Sequence, residues 1–332
     1  MAANGIRSRD DEVALRALEH YDFAPGASCR MINLSENATY LIEDATGGNG
    51  GILRVHREGY HSLAAIESEL SWLAALRAEA GIDAPDVTRT RDGRRVVTVE
   101  LDGRPRHAVL FETMGGLEPD EAQIDPADFR MLGEITARLH QHAKSWCRPA
   151  GFTRFEWDWE HSLGGSPRWG RWQDGSGVGP AEIAQLTPAV DLLHRRLAEY
   201  GQGPDRYGLI HADLRLANLL VDPPRVNVID FDDCGYGWYL YDFGTTVSFI
   251  EDDPALPHWQ AAWLDGYRSQ AELSAADEEM LASFVLLRRL LLVAWMGSHG
   301  HARESVSKSA DYATRTCELA QHYLDSGGRS IG

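Results

Sequence analysis

The texture of the chain changes once, and that change limits the fold more than any other feature. Up to residue 113 the apolar residues come in short runs, at 30–33, 38–42, 52–56, 95–101 and 107–111. These runs are rich in β-branched and aromatic residues and are separated by glycine-rich or Asp-Gly breaks, which reads as strands joined by hairpins. Residues 10–20 read as a helix through Val13, Leu15 and Leu18. Residues 62–80 read as a second, with Ile66, Leu70, Leu73 and Leu76 at helical spacing and Ser62 placed to cap it. From Asp125 onward the period becomes helical: 126–147, 181–200, 256–271, 275–297 and 302–324, with only two short strands, at 219–221 and 226–229. Strands first and helices after predict an α+β chain of two lobes. Met114-Gly115-Gly116 breaks both patterns, so the boundary is expected between 1–113 and 114–332.

A length of 332 residues suffices for one large or two modest cores. The formal net charge of -18 argues against nucleic acid or an anionic membrane as a partner, because both would be repelled. A cationic substrate and a merely solvated acidic surface both account for it. The four cysteines, Cys29, Cys147, Cys234 and Cys317, form no CxxC pair, so neither a zinc site nor a redox motif is expected. The first residues contain no apolar run. The greasiest stretch, Phe284 to Met296, is short for a bilayer and carries Arg288 and Arg289 in its middle. The predicted setting is cytoplasmic and reducing. Residues 151–178 hold Trp157, Trp159, Trp169 and Trp172, and read either as a structural cap on the helical lobe or as a substrate platform.

The densest chemistry lies at Leu209-Ile210-His211-Ala212-Asp213-Leu214-Arg215-Leu216-Ala217-Asn218. This is H-x-D-x-x-x-x-N, the catalytic-loop pattern of phosphoryl-transfer enzymes, with apolar residues on both sides. Twelve residues after Asn218 comes Asp230, in Val-Ile-Asp-Phe-Asp-Asp, just after an apolar run. Phosphoryl transfer is mostly positioning and charge neutralisation. One carboxylate must orient the acceptor hydroxyl and take its proton, which suits Asp213. Oxygen ligands must hold magnesium against the phosphates of ATP, which suits Asn218 and Asp230.

His-Ala-Asp-Leu-Arg-Leu-Ala-Asn-Leu-Leu-Val, Val-Ile-Asp-Phe-Asp-Asp-Cys-Gly and Tyr-Asp-Phe-Gly together resemble the aminoglycoside phosphotransferase and choline kinase superfamily, which has the protein-kinase-like fold. The paired acids Asp232-Asp233 most resemble the branch with homoserine kinase type II and the bacterial stress response kinase. The resemblance implies a catalytic base at Asp213, a supporting His211, magnesium ligands at Asn218 and Asp230, and a structural acid at Asp242. An ordinary helix-start role for Asp242 fits equally well. Leu139-His140-Gln141-His142 also matches a family habit, but packing or surface roles suffice for both histidines.

The first lobe resembles the family more loosely. Asn33 to Tyr40 sits where the loop over the ATP phosphates belongs, with Ser35 and Asn37 as its polar residues. Thr46 to Gly51 reads as a hairpin turn, since no Gly-Lys-Ser/Thr follows. Arg54 stands where relatives carry a phosphate-binding lysine. Neither lysine of the chain, Lys144 or Lys308, lies in this lobe, so the arginine has no substitute. An arginine can bind phosphate and pair with a carboxylate, although its fork differs from an ammonium. Glu69 is its expected partner and Glu67 the alternative. The segment from His107 through Glu112 to Met114 resembles the hinge whose backbone binds adenine. The implied activity is transfer of the ATP γ-phosphate to a hydroxyl of a small molecule: an amino acid, amino alcohol, sugar or aminoglycoside. A protein Ser/Thr kinase and a non-catalytic ATP-binding scaffold are the rival readings. Only eleven residues separate Asp230 from Asp242, too few for a peptide-docking segment.

Overall fold

The computed structural model describes residues 8–34, 37–45, 50–120, 124–298 and 311–331. Helix α1 (Arg9–Leu18) is followed by strands β1 (Ser28–Leu34), β2 (Ala38–Glu43) and β3 (Gly51–Val55). Helix α2 (Leu63–Ala75) runs on into one wider turn, Leu76–Ala80, before β4 (Val97–Leu101) and β5 (Arg104–Phe111). All five strands form one antiparallel sheet in the order β1-β2-β3-β5-β4. Alternation decides which face is buried: Ala38, Tyr40 and Ile42 of β2 point inward with Val13, Ala14 and Ala17 of α1, and this lobe has its own small core. Ser62 caps α2 by accepting from the Ala65 N–H, as its position predicts.

The rest of the chain is built on helices α3 (Pro126–Ser145), α5 (Pro180–Tyr200), α7 (Leu256–Gln270), α9 (Leu281–Ser298) and α10 (Tyr312–Asp325), with short helices α4 (Trp159–Ser162), α6 (Tyr241–Thr246) and α8 (Ala275–Glu278). Helices α3 and α7 lie back to back through facing glycines. A Cβ on Gly133 would come within 2.1 Å of the Trp263 carbonyl oxygen, and one on Gly266 within 1.9 Å of the Arg130 oxygen. Two small antiparallel pairs of strands interrupt the helices: β6 (Tyr207–Ile210) with β9 (Gly235–Trp238), and, between them in the chain, the hairpin β7 (Leu219–Asp222) with β8 (Arg225–Val228). The molecule is a bilobal α+β structure, as the change in texture predicts.

Two expectations are corrected, and a third falls partly outside the described residues. The helix expected at 275–297 is broken, with α8 and α9 separated at Glu279 and Met280. Together, Ala275–Ser298 is long and apolar enough to cross a membrane, but 94% of its apolar 18-residue window is buried inside the chain, at the centre of the helical lobe. The strand β9 was not anticipated, since Gly-Tyr-Gly-Trp lacks a strand pattern and becomes one by pairing with β6. Within the helix expected at 302–324 the structure shows Tyr312–Asp325, and residues 302–310 lie outside the described residues. So do Ser35 and the turn residues Thr46 to Asn49.

Candidate active site

The two strand pairs deliver the chemistry. His211 to Asn218 joins β6 to β7, and Asp230 follows β8, so the loop and the acid leave neighbouring strand ends together. The loop is pinned from below by Asp242, which begins α6. Its carboxylate accepts the Ala212 N–H at 2.8 Å and the His211 N–H at 3.2 Å. His140 of α3 donates Nε2–H to the same carboxylate at 3.1 Å, while Tyr267 donates its O–H to the other ring nitrogen at 3.1 Å. His140 is therefore neither a surface residue nor simple packing; it holds the acid that holds the loop. Burial, opposed by Asp242, keeps its pKa below the usual histidine value.

His211 folds back on its own loop. Its Nδ1 accepts the Asp213 N–H and its Nε2 donates to the Ile229 carbonyl, both at 3.2 Å. Those two bonds need the neutral Nε2–H tautomer, and burial lowers the pKa accordingly. Ala212 and Asp230 both sit in the left-handed region, at φ 66° and 61°. Non-glycine residues are held there only where the surroundings force it, a feature that clusters at functional sites.

Asp213 is tightly framed. Asn218 Nδ2 donates to both its Oδ2 and its carbonyl oxygen at 2.8 Å. Arg288, from the middle of α9, donates Nη2–H to Oδ1 at 2.5 Å. Both bonds of Asn218 use its nitrogen, so its Oδ1 remains as an oxygen donor.

Arg54 of β3 is buried and faces the same cleft. Its Nη2 lies 2.6 Å from Glu69 Oε1, and its Nη1 lies 3.7 Å from Asp232 and 4.0 Å from Asp230. The pair with Glu69 forms as expected. Glu67 instead turns to Arg95. Burial works against the charge on Arg54, but Glu69, Asp232 and Asp230 outweigh it and hold its pKa above the usual arginine value. Asp232 also accepts from Asn37 Nδ2 at 2.8 Å and lies 3.4 Å from His56 and 3.3 Å from His61. Burial opposes ionisation of Asp232, yet the cations and hydrogen bonds around it hold it well below the usual carboxylate range. Burial and the neighbouring Arg54 push His56 down to about 4.

Asn37 is tied to the protein at both ends of its amide, to Asp232 and, through Oδ1, to the Arg57 N–H at 3.1 Å. In the hinge, the Glu112 N–H is committed to the Asp86 carbonyl at 2.9 Å, so the segment can offer the Glu112 carbonyl and the Met114 N–H.

A cleft of about 830 Å³ between the lobes brings these groups together. It is lined by Asn37, Arg54, Glu69, Glu112, Met114, Asp213, Asn218 and Asp230 among others, while His211 lies behind it. Of the sequence-derived site residues, only Ser35 falls outside the described residues. The tryptophan segment divides: Trp157 and Trp172 are core, whereas Trp169 reaches the cleft beside Arg288. Arg154 is a further buried residue that no motif marked. It bonds to the Cys234 and Asp232 carbonyls and lies 3.9 Å from Glu69.

Residues 31–278 match the model of the phosphotransferase enzyme family. The chain belongs to that family. A solved structure of the microcompartment-associated aminopropanol kinase is 62% identical, covering 97% of this chain and 99% of that one, with a TM-score of 0.90. Amicoumacin kinase of Bacillus subtilis (strain 168) is 27% identical over 85% of this chain and 83% of its own length. Homoserine kinase of Pseudomonas aeruginosa is 27% identical over 60% of each chain, so this phosphotransferase resembles the first two over more of its length than the branch its paired acids suggested. The protein is an ATP-dependent phosphotransferase acting on a hydroxyl of a small molecule, with the kinase-like fold of these relatives.

Proposed function

We propose that this phosphotransferase moves the γ-phosphate of MgATP to the hydroxyl of a small amino alcohol of the aminopropanol type. The observation that carries the reading is the 62% identity to the aminopropanol kinase across 97% of the chain. The cleft supports it. Trp169, Leu292 and Trp295 line the cleft along with Asp213, apolar and aromatic surfaces suited to a small acceptor. A net charge of -18 suits a cationic one.

In this reading Asp213 orients the hydroxyl and takes its proton, with His211 bracing the loop. Asn218 Oδ1 and the Asp230 carboxylate are hard oxygen donors at the cleft, which fits magnesium, and these two would hold it. The metal would neutralise charge on the transferring phosphoryl group. Arg54, held by Glu69, faces the phosphates. Ser35 and Asn37 belong to the loop covering them, and Glu112 and Met114 meet adenine with main-chain groups. Residues 1–113 form the nucleotide lobe and 114–332 carry the acceptor side. Four free cysteines fit a cytoplasmic setting. A protein acceptor fits poorly, because β9 and α6 fill the interval from Asp230 to Asp242 and leave no extended segment for a peptide.

The test is an ATP-turnover screen across aminopropanol, other amino alcohols, homoserine, aminoglycosides and a serine peptide. The reading predicts the highest kcat/KM for an amino alcohol. A preference for the peptide or for an uncharged sugar would overturn it.

A further inference from the structure

Arg288 stands in the middle of α9, a long buried apolar helix, with 3% of its surface exposed. A buried guanidinium is unfavourable unless its donors are matched. Its Nε donates to Ser248 Oγ at 2.9 Å, just past the end of α6. Its Nη1 lies 3.4 Å from both the Tyr241 hydroxyl and the Ala212 carbonyl. The carbon of the guanidinium lies 5.3 Å from the Trp169 ring centre. These contacts fix the head group from three sides. The remaining nitrogen, Nη2, is aimed at Asp213 Oδ1 at 2.5 Å.

The other carboxylate oxygen, Oδ2, is held by Asn218 at 2.8 Å. Two rigid donors therefore reach one carboxylate, one from five residues along the loop and one from 75 residues away on α9. A carboxylate held at both oxygens cannot turn about its last torsion. Arginine does this better than lysine, because its planar fork can bond Asp213 and its anchors at once.

We propose that Arg288 is a positioning residue for phosphoryl transfer, fixing the plane of the Asp213 carboxylate before the acceptor arrives. This rests on Asp213 as the base. In the step it serves, the acceptor oxygen bonds to the γ-phosphorus and the bond from that phosphorus to the ADP oxygen breaks. The hydroxyl proton passes to the Asp213 carboxylate. Arg288 takes no part in bond making. It sets the approach geometry, and misplacement of a reacting group by about 1 Å costs on the order of 100-fold in rate. The Ala212 carbonyl contact adds a second effect, since it steadies the left-handed residue just before the base.

The experiment is steady-state kinetics with MgATP and an amino alcohol on Arg288→Met, Arg288→Lys, Asp213→Asn and the Asp213→Asn/Arg288→Met double variant. Arg288→Met should lower kcat ~100-fold with the Michaelis constant for MgATP within about twofold of the parent. Arg288→Lys should recover part of the loss, leaving it ~10-fold. In the Asp213→Asn background the Met change should cost almost nothing more, because the two residues act as one unit. A merely structural arginine would show the same loss in both backgrounds and a parallel rise in the MgATP constant; either result overturns the proposal. If the Met variant does not fold, Arg288→Lys decides, and an unchanged kcat there is equally fatal. Near-normal turnover in Asp213→Asn would remove the base itself. An inactive Asp213→Asn beside a normal Arg288→Met would remove only this inference.

Discussion

Arg54 shows how far a single position can be read and where structure adds the rest. Its strand position and the lack of a lysine in the first lobe pointed to a phosphate role, and the pairing with Glu69 at 2.6 Å gives that role a scaffold. If the pair acts on ATP as one unit, Arg54→Ala and Glu69→Ala should each raise the ATP Michaelis constant about 10-fold, the scale of one charged hydrogen bond. The double variant should be little worse than the worse single one. A double-mutant cycle on ATP turnover checks this, and additive effects or a silent Arg54→Ala would take Arg54 out of the site. That Asp213, Asn218 and Asp230 come together at one cleft was legible because their pattern is written within a short span. Arg288 and Arg154 were not, because Arg288 meets its partners across 40 or more residues and Arg154 across 78 or more. In the sequence, Arg288 reads only as a charge interrupting an apolar run. His140 was visible but undervalued, since nothing local shows that it reaches Asp242 at 3.1 Å.

At the scale of elements, period and capping decided what could be read. Helices α2 and α3 announce themselves by spacing, with Ser62 already legible as a cap and Asp125 found as one in the structure. The strand β9 exists only through its partner β6, so tertiary pairing overrides a glycine-rich sequence with little strand propensity of its own. The approach of α3 to α7 is likewise invisible locally, although it dictates two glycines. Gly133→Ala or Gly266→Ala forces a methyl group against a carbonyl oxygen at 2.1 Å or 1.9 Å, so the helices must separate. Each should destabilise the fold by about 1–3 kcal/mol. Urea unfolding should show a lowered midpoint with an unchanged slope. Stability equal to the parent would mean that the helices are less closely packed than described.

For the molecule as a whole, a small core under α1 and a large core that runs from α2 and β5 into the helical lobe flank the cleft, and histidines are buried uncharged around it. Burial lowers the pKa of His56, His140 and His211, with His56 reaching about 4. In the unfolded chain each imidazole takes up a proton near ~6.5. Between that value and about 4, the unfolded chain binds a proton that folded His56 refuses, so acid favours unfolding. Stability should therefore fall as the pH drops below ~6.5, by up to ~1.4 kcal/mol per pH unit for each such histidine. Thermal unfolding between pH 7 and pH 4.5 measures it; a flat profile would contradict neutral burial.

The division of labour between the lobes rests on one carboxylate. In the proposed reading Asp213 meets the acceptor, while Arg54 and Asp230, which line the same cleft, face the nucleotide. The direct measurement is formation of the O-phosphorylated amino alcohol from MgATP by the parent enzyme and by Asp213→Asn, with MgATP affinity titrated in both. The account predicts that product formation falls at least ~100-fold, the contribution of a positioned base, while MgATP affinity is kept. Near-normal product formation in the variant, or parallel loss of MgATP binding, would contradict it.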